Sequence, residues 1–151
     1  MKIKELLKIL DEQKLNLIGL VKIVKNKQNV LVNNKLEKLS EYMSLEEKKL
    51  LEIQIVEEKR LSVMQQLFSQ YNIESERFKL EILITALTNK IPQNFLDSIK
   101  QNEREMKNLI QEITRINQQN LLLVQQSSQI ITETVKAVID TSKRSFIDRK
   151  G

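Results

Sequence analysis

From Ile3 onward apolar residues return every seven positions, at Leu10, Leu17, Val24 and Leu31, with Leu6 and Leu20 filling the intervening three-or-four spacing. That is the signature of one face of an α-helix. Leu7, Leu15, Ile18 and Val21 widen the stripe beyond a two-stranded seam, so this helix is expected to pack against more than one neighbour. Gly19 interrupts it at a cost of about 1 kcal/mol relative to Ala and reads as tolerated rather than as a close helix contact. Asn33 and Asn34 supply the first turn, because Asn accepts left-handed backbone and caps a following helix. A second period runs through Leu36, Leu39, Met43, Leu50, Ile53, Leu61, Met64, Leu67 and Phe68. Ser44-Leu-Glu-Glu47 has the form of a capping box, but no Gly or Pro flanks it, and one unbroken helix to about Gln70 is expected. Glu57 and Arg60 interrupt the apolar rows and read as a surface pair at i,i+3.

Tyr71 to Ser75 predicts a second loop, with Ser75 capping a short helix that carries Phe78, Ile82, Leu83, Ala86 and Leu87 and ends near Asn89. Pro92 then opens a last helix, at a position where its missing N–H is no loss, and nothing breaks the chain from Gln93 to about Phe146. The expected fold is all-α. Helices near 2–32 and 35–70 form a long antiparallel hairpin; a short helix near 76–89 and a long one near 93–146 complete an elongated bundle or coiled coil. No repeat, low-complexity tract or interdomain linker interrupts the 151 residues, so they read as a single domain.

Composition agrees with that class. Two Gly and one Pro cannot supply the turns of a many-stranded sheet, while apolar residues at 40% and charged ones at 30% exceed what a disordered tail carries. Zero Cys removes disulfides and thiolate chemistry, and zero His removes the commonest general base and transition-metal ligand. Gly19 and Gly151 alone build no phosphate-cradling loop. The carboxylates sit in charged helical runs such as Glu46–Glu47 and Glu57–Glu58, which read as solvated faces. No catalytic, cofactor-binding or metal-ligating residue is therefore assigned, and the chain is read as non-enzymatic with no cofactor. No apolar run approaches a membrane span and no secretory signal opens the chain, which implies a cytoplasmic protein without stable membrane insertion.

The net charge of +5 is concentrated at the start: residues 1–39 carry nine Lys against four acidic residues. These lysines (Lys2, Lys4, Lys8, Lys14, Lys22, Lys25 and Lys27 among them) are spread around a helix, with no Arg or aromatic interleaved to read or stack on bases. A basic first helix lying beside an acidic second one is the favoured reading, and no nucleic-acid partner is expected.

The last helix holds the most informative stretch. Ile116 to Thr132 contains no charge at all. On a helical wheel Ile110, Ile113, Ile116, Leu123, Val124, Ile130, Ile131, Val135 and Val138 share one broad arc, and Asn117, Asn120 and Ser127 fall inside it. Leu121 lies at its margin and Leu122 points away. Asn at such a seam fixes register or partner when its amide is satisfied. Two readings stay open: bonds to other helices of the same bundle, or recognition of another chain.

The stretch Ile116-Asn-Gln-Gln-Asn120-Leu-Leu-Leu-Val-Gln-Gln-Ser127 resembles the Asn-x-x-Asn-x-x-Leu-Leu pattern of FlgN-type flagellar export chaperones, with Asn117, Asn120 and Leu123 at matching positions and Val124 at the second Leu. Glu46-Glu-Lys-Lys-Leu-Leu51 followed by Glu57-x-x-Arg60 is similar to that family's second helix, Val30 to Leu36 to its first turn, and Phe146 to Gly151 to its ending. The resemblance implies a cytosolic chaperone for hook–filament junction (hook-associated) proteins of the FlgK and FlgL type. Such a chaperone binds a C-terminal helical segment of its client, prevents premature assembly, and meets the type III export machinery. On this reading a core over about 1–130 carries a mobile client-binding tail over 131–151. The candidate partner-binding residues are Asn117, Asn120, Leu123, Val124, Ile130, Ile131, Val135, Val138, Phe146 and Ile147. Two other classes compete: a structural coiled-coil or adaptor protein whose homodimer buries residues 109–138, and a nucleic-acid or membrane-surface binder using the basic first helix. The oligomeric state is left open by the pattern.

Overall fold

The computed structural model describes the backbone of residues 1–150, with side chains through Gln126 and at Lys136 and Asp140. Helix α1 spans Lys2–Val32, a single 3-10 turn covers Leu36–Lys38, α2 spans Leu39–Gln70, α3 Leu80–Leu87 and α4 Gln93–Lys150. No strand occurs among the described residues, and the all-α expectation holds. α2 runs unbroken through Ser44, as the lack of a flanking Gly or Pro implied.

Asparagine does at the helix ends what glycine does in most proteins. Asn34, Asn72 and Asn89 have φ of 55°, 53° and 66°, the left-handed region that a short polar side chain tolerates. Behind α1 the Lys35 N–H bonds the Val30 carbonyl at 2.9 Å, and behind α2 the Ile73 N–H bonds the Phe68 carbonyl at 2.8 Å. Both are the six-to-one closure of a Schellman motif with Asn at its left-handed position. The expected caps at the next helix do not form: neither the 3-10 turn nor α3 has a side-chain cap. Ser75 instead accepts from the Arg77 N–H at 3.1 Å within the loop, and α3 starts only at Leu80. Pro92 sits just before α4, where its carbonyl accepts from the Phe95 N–H at 3.1 Å.

Four cross-helix contacts set the topology. Gln13 meets Glu57 and Lys27 meets Glu46, so α1 and α2 are antiparallel. Lys14 meets Glu105 and Gln28 meets Gln119, so α4 runs parallel to α1. α1 is thus the central helix, packed on both α2 and α4, while α3 packs on α4. The lower end is closed on all sides: Ile3, Leu6 and Leu10 of α1, Met64 and Leu67 of α2, Leu83 and Leu87 of α3, and Leu96 and Ile99 of α4 form one buried cluster. Each such side chain contributes roughly 1.5–3 kcal/mol by leaving water. The upper end is thinner, with Leu20, Val21 and Val24 of α1 against Ile113 and Ile116 of α4.

The broad stripes are only partly used. On α1, Leu15 is 66% and Ile18 38% exposed, so the widened face ends at Leu7 and Val21. On α2 the second half is buried as the period implies, but Met43 and Leu50, like Leu36 in the 3-10 turn before it, remain exposed. Gly19 faces only Lys49, whose Cε would lie 3.2 Å from an added Cβ. A flexible side-chain end can yield, so the glycine is tolerated rather than required.

Candidate functional site

α4 is nearly twice the length of its neighbour. Its 58 residues span about 87 Å, whereas the 31 residues of α1 span about 46 Å. Asn120 stands beside Val24, so the last residue of α1, Val32, is level with about residue 128 of α4. Roughly the last 22 residues of α4 therefore run on past the turn of the hairpin.

Asn120 sits at the base of this extension and is 2% exposed. Its Nδ2 donates to the Val24 carbonyl at 3.1 Å, so it bonds another helix of the same bundle. Its Oδ1 has no hydrogen-bond partner among the described residues. Asn117 and Leu123 are half-buried, and Val124 is 39% exposed. Leu121 and Leu122, assigned to the margin and the far side of the arc, are more exposed still. The side chains of Ile130, Ile131, Val135, Val138, Phe146 and Ile147 lie outside the described residues. Asn117, Asn120, Leu123 and Val124 are thus brought onto one stretch of helix at the top of the bundle, with Asn120 turned in and Val124 turned out.

Lower on the same helix is a cleft of about 330 Å³ between α2 and α4, which the sequence pattern had not singled out. Leu17 of α1 is its floor, Ile53 of α2 and Met106 and Ile110 of α4 are its walls, and Leu80 of α3 closes its lower end. Glu57 and Arg60, read from the sequence as a surface pair, stand on its rim and do more than that. Arg60 grips the Glu57 carboxylate through two nitrogens and donates through Nη1 to the Phe78 carbonyl at 3.2 Å, tying the α2–α3 loop to the hairpin. Gln13 of α1 donates to the same carboxylate at 2.6 Å. Burial alone would raise the Glu57 pKa, but the hydrogen bonds and charge of Arg60, together with Gln13, outweigh it and hold the group below its ordinary value of 4.5. Opposite, Lys107 pairs with Glu103 at 3.0 Å and Glu81 at 3.1 Å, which raise its pKa. Every charge on the cleft is therefore matched within the chain. The one legible trace of this site was the Glu57-x-x-Arg60 spacing; its apolar lining comes from four separate elements.

Three lysines of α1 are matched across the bundle too. Lys27 pairs with Glu46 of α2 at 3.0 Å, and Lys14 and Lys25 pair with Glu105 and Glu112 of α4 at 2.8 and 3.0 Å. Among the described residues no helix is long and apolar enough to cross a membrane, and no cluster of acidic side chains could hold a metal ion.

What the geometry offers is apolar helix surface with neutralised edges. A family model described as FlgN protein matches residues 1–146. No curated protein and no solved structure matched the chain. With the match covering nearly all of the sequence, the chain belongs to the FlgN family of flagellar export chaperones.

Proposed function

We propose that this protein is a cytoplasmic, non-enzymatic chaperone that holds a C-terminal helical segment of a hook–filament junction protein of the FlgK or FlgL type. In doing so it keeps the segment from premature assembly and presents the client to the type III export machinery. The observation that carries the reading is the run of α4 past the end of the hairpin. The charge-free stretch from Ile116 to Thr132 leads into that run, which carries the apolar arc through Ile130, Ile131, Val135, Val138, Phe146 and Ile147. An apolar helix face that runs on beyond the hairpin is what an amphipathic client helix can cover, and docking of that kind needs no chemistry. On this reading residues 1–130 are the folded core and 131–151 the client-binding tail. Asn117 and Asn120 set the register at which the tail leaves the bundle, while Leu123 and Val124 begin the contact surface.

The test is truncation after Ile130, with binding measured by calorimetry to a synthetic peptide spanning the C-terminal helix of the cognate FlgK-type protein. The truncated chain should keep its helical core and lose the peptide. Val138→Ala or Phe146→Ala should each weaken binding by roughly 1–3 kcal/mol with little change in stability. Unchanged affinity after truncation would place the site elsewhere.

A further inference from the structure

The α2 stripe that stays uncovered and the cleft beneath it belong to one surface. Leu50 precedes the cleft residue Ile53 by three positions and Glu57 by seven, and Met43 precedes Leu50 by seven, so all share one face of α2. Leu50 is 49% and Met43 46% exposed. Across the gap, Asn117, Leu121 and Val124 follow the cleft residue Ile110 at seven, eleven and fourteen positions, again one face. Ile110 is 51% and Leu121 57% exposed. Two apolar walls therefore face each other over α1, from the cleft up to the turn of the hairpin. The walls run about 14–17 residues, or roughly 21–26 Å.

We propose that this trough is the second half of the client site, and that a client helix of about four turns lies in it as the fourth helix of the bundle. The inference rests on the chaperone reading above. What fits the trough is already displayed at its lower end. There α3 fills the same corner, burying Leu80, Leu83, Ile84 and Leu87, and the lower cluster is complete because of it. Above Leu80 the corner is open and the buried cluster is smaller. The lining also sets the chemistry of the occupant. Glu57 is matched by Arg60, and Lys107 by Glu103 and Glu81, and the α4 wall above them (Thr114, Asn117, Leu121) is uncharged. A charged ligand would find no free counter-charge there, whereas a helix with an uncharged apolar face would match both walls.

Leu50→Glu places a charge on the α2 wall, far in sequence from the α4 tail, at a position exposed enough to leave the fold intact. Leu51→Glu is the control. Leu51 is 61% exposed on the same helix but is turned about 100° away from Leu50. Binding of the same FlgK-type peptide should weaken about tenfold or more in Leu50→Glu and stay within about threefold in Leu51→Glu. Leu50→Gln should reproduce the order without a charge, and circular dichroism should show all three fully helical. If Leu50→Glu binds normally while truncation after Ile130 abolishes binding, the trough is not the site and the tail reading stands. If neither change affects the peptide, both readings fail. Equal weakening by Leu50→Glu and Leu51→Glu would refute a directed contact. If Leu50→Glu instead dissociates a client-free homodimer seen by light scattering and leaves peptide affinity untouched, a second copy occupies the trough and the inference is overturned.

Discussion

Asn120 concentrates the tension between stability and specification in a single side chain. It is sealed between α1 and α4, donates to the Val24 carbonyl, and leaves its Oδ1 unpaired among the described residues. A buried acceptor without a donor costs about 1–3 kcal/mol, and the Val24 carbonyl already has the helix of α1 to bond to. Replacing Asn120 by Leu removes the orphaned atom and puts two methyls, bulkier than the amide but of similar branching, beside Val24 and Ile116. Asn120→Leu should therefore raise the unfolding free energy by about 1 kcal/mol in urea denaturation. If the Asn is kept to set the α1–α4 register, the same variant should lose the single well-resolved set of amide resonances that the wild type shows. A variant destabilised by more than about 1 kcal/mol would mean that the hydrogen bond outweighs the orphaned acceptor. From the sequence the residue could be picked out as the anomaly in an apolar arc. Which way its amide pointed depended on α1, ninety-odd positions away, and no local pattern carries that.

At the scale of elements, the helices were legible wherever the period was long and the ends were marked by Asn or by Pro92. What misled was the assumption that every apolar stripe is covered. The stripe of α2 has the same spacing in both halves, but its buried residues begin only at Val56; periodicity reports which face is apolar and not whether a partner covers it. Ser75 likewise has the chemistry of a cap and uses it within its own loop. The Glu57–Arg60 pair shows the opposite error, since it holds three elements and not one surface. Arg60→Ala leaves the Phe78 carbonyl and the Glu57 carboxylate without their guanidinium, and should cost about 1–2 kcal/mol, discounted because Glu57 stays partly in water. Arg60→Lys should rescue only part, as an ammonium cannot grip both oxygens. The pH dependence follows in sign. A carboxyl held below its ordinary value stabilises the fold above that value and loses the contribution as pH falls through the folded pKa. Denaturation midpoints followed from neutral to acid pH should thus fall less in Arg60→Ala than in the wild type. Parallel acid limbs would show that the pair contributes nothing.

For the whole molecule, the architecture follows from a mismatch of lengths: a hairpin of two helices of about 46 Å and a third helix that runs on beyond it. The sequence announces that length plainly, because no breaker follows Pro92. It does not announce the trough, which exists only because α4 lies parallel to α1 and α3 stops short. The same assembly decides the fate of the positive charge. A chain with a net charge of +5 attracts phosphates at low salt, and nine lysines in the first 39 residues would serve a nucleic-acid binder if they formed one free face. They do not, because Lys14, Lys25 and Lys27 point along two different flanks of α1 into Glu105, Glu112 and Glu46. A hydrogen bond from Lys14, with Gln101 beside it, holds the Glu105 carboxyl below its ordinary value, so that partner stays charged at neutral pH. Releasing such a lysine to a phosphate exchanges one counter-charge for another, so these three add little to the affinity or to its dependence on salt. Fluorescence anisotropy with a labelled DNA duplex should therefore show weak binding at about 20 mM salt that vanishes by about 150 mM, where the screening length has shrunk to about 8 Å. Sub-micromolar affinity at the higher salt would mean that the other lysines form a continuous basic surface, and would displace the chaperone reading in favour of a nucleic-acid one.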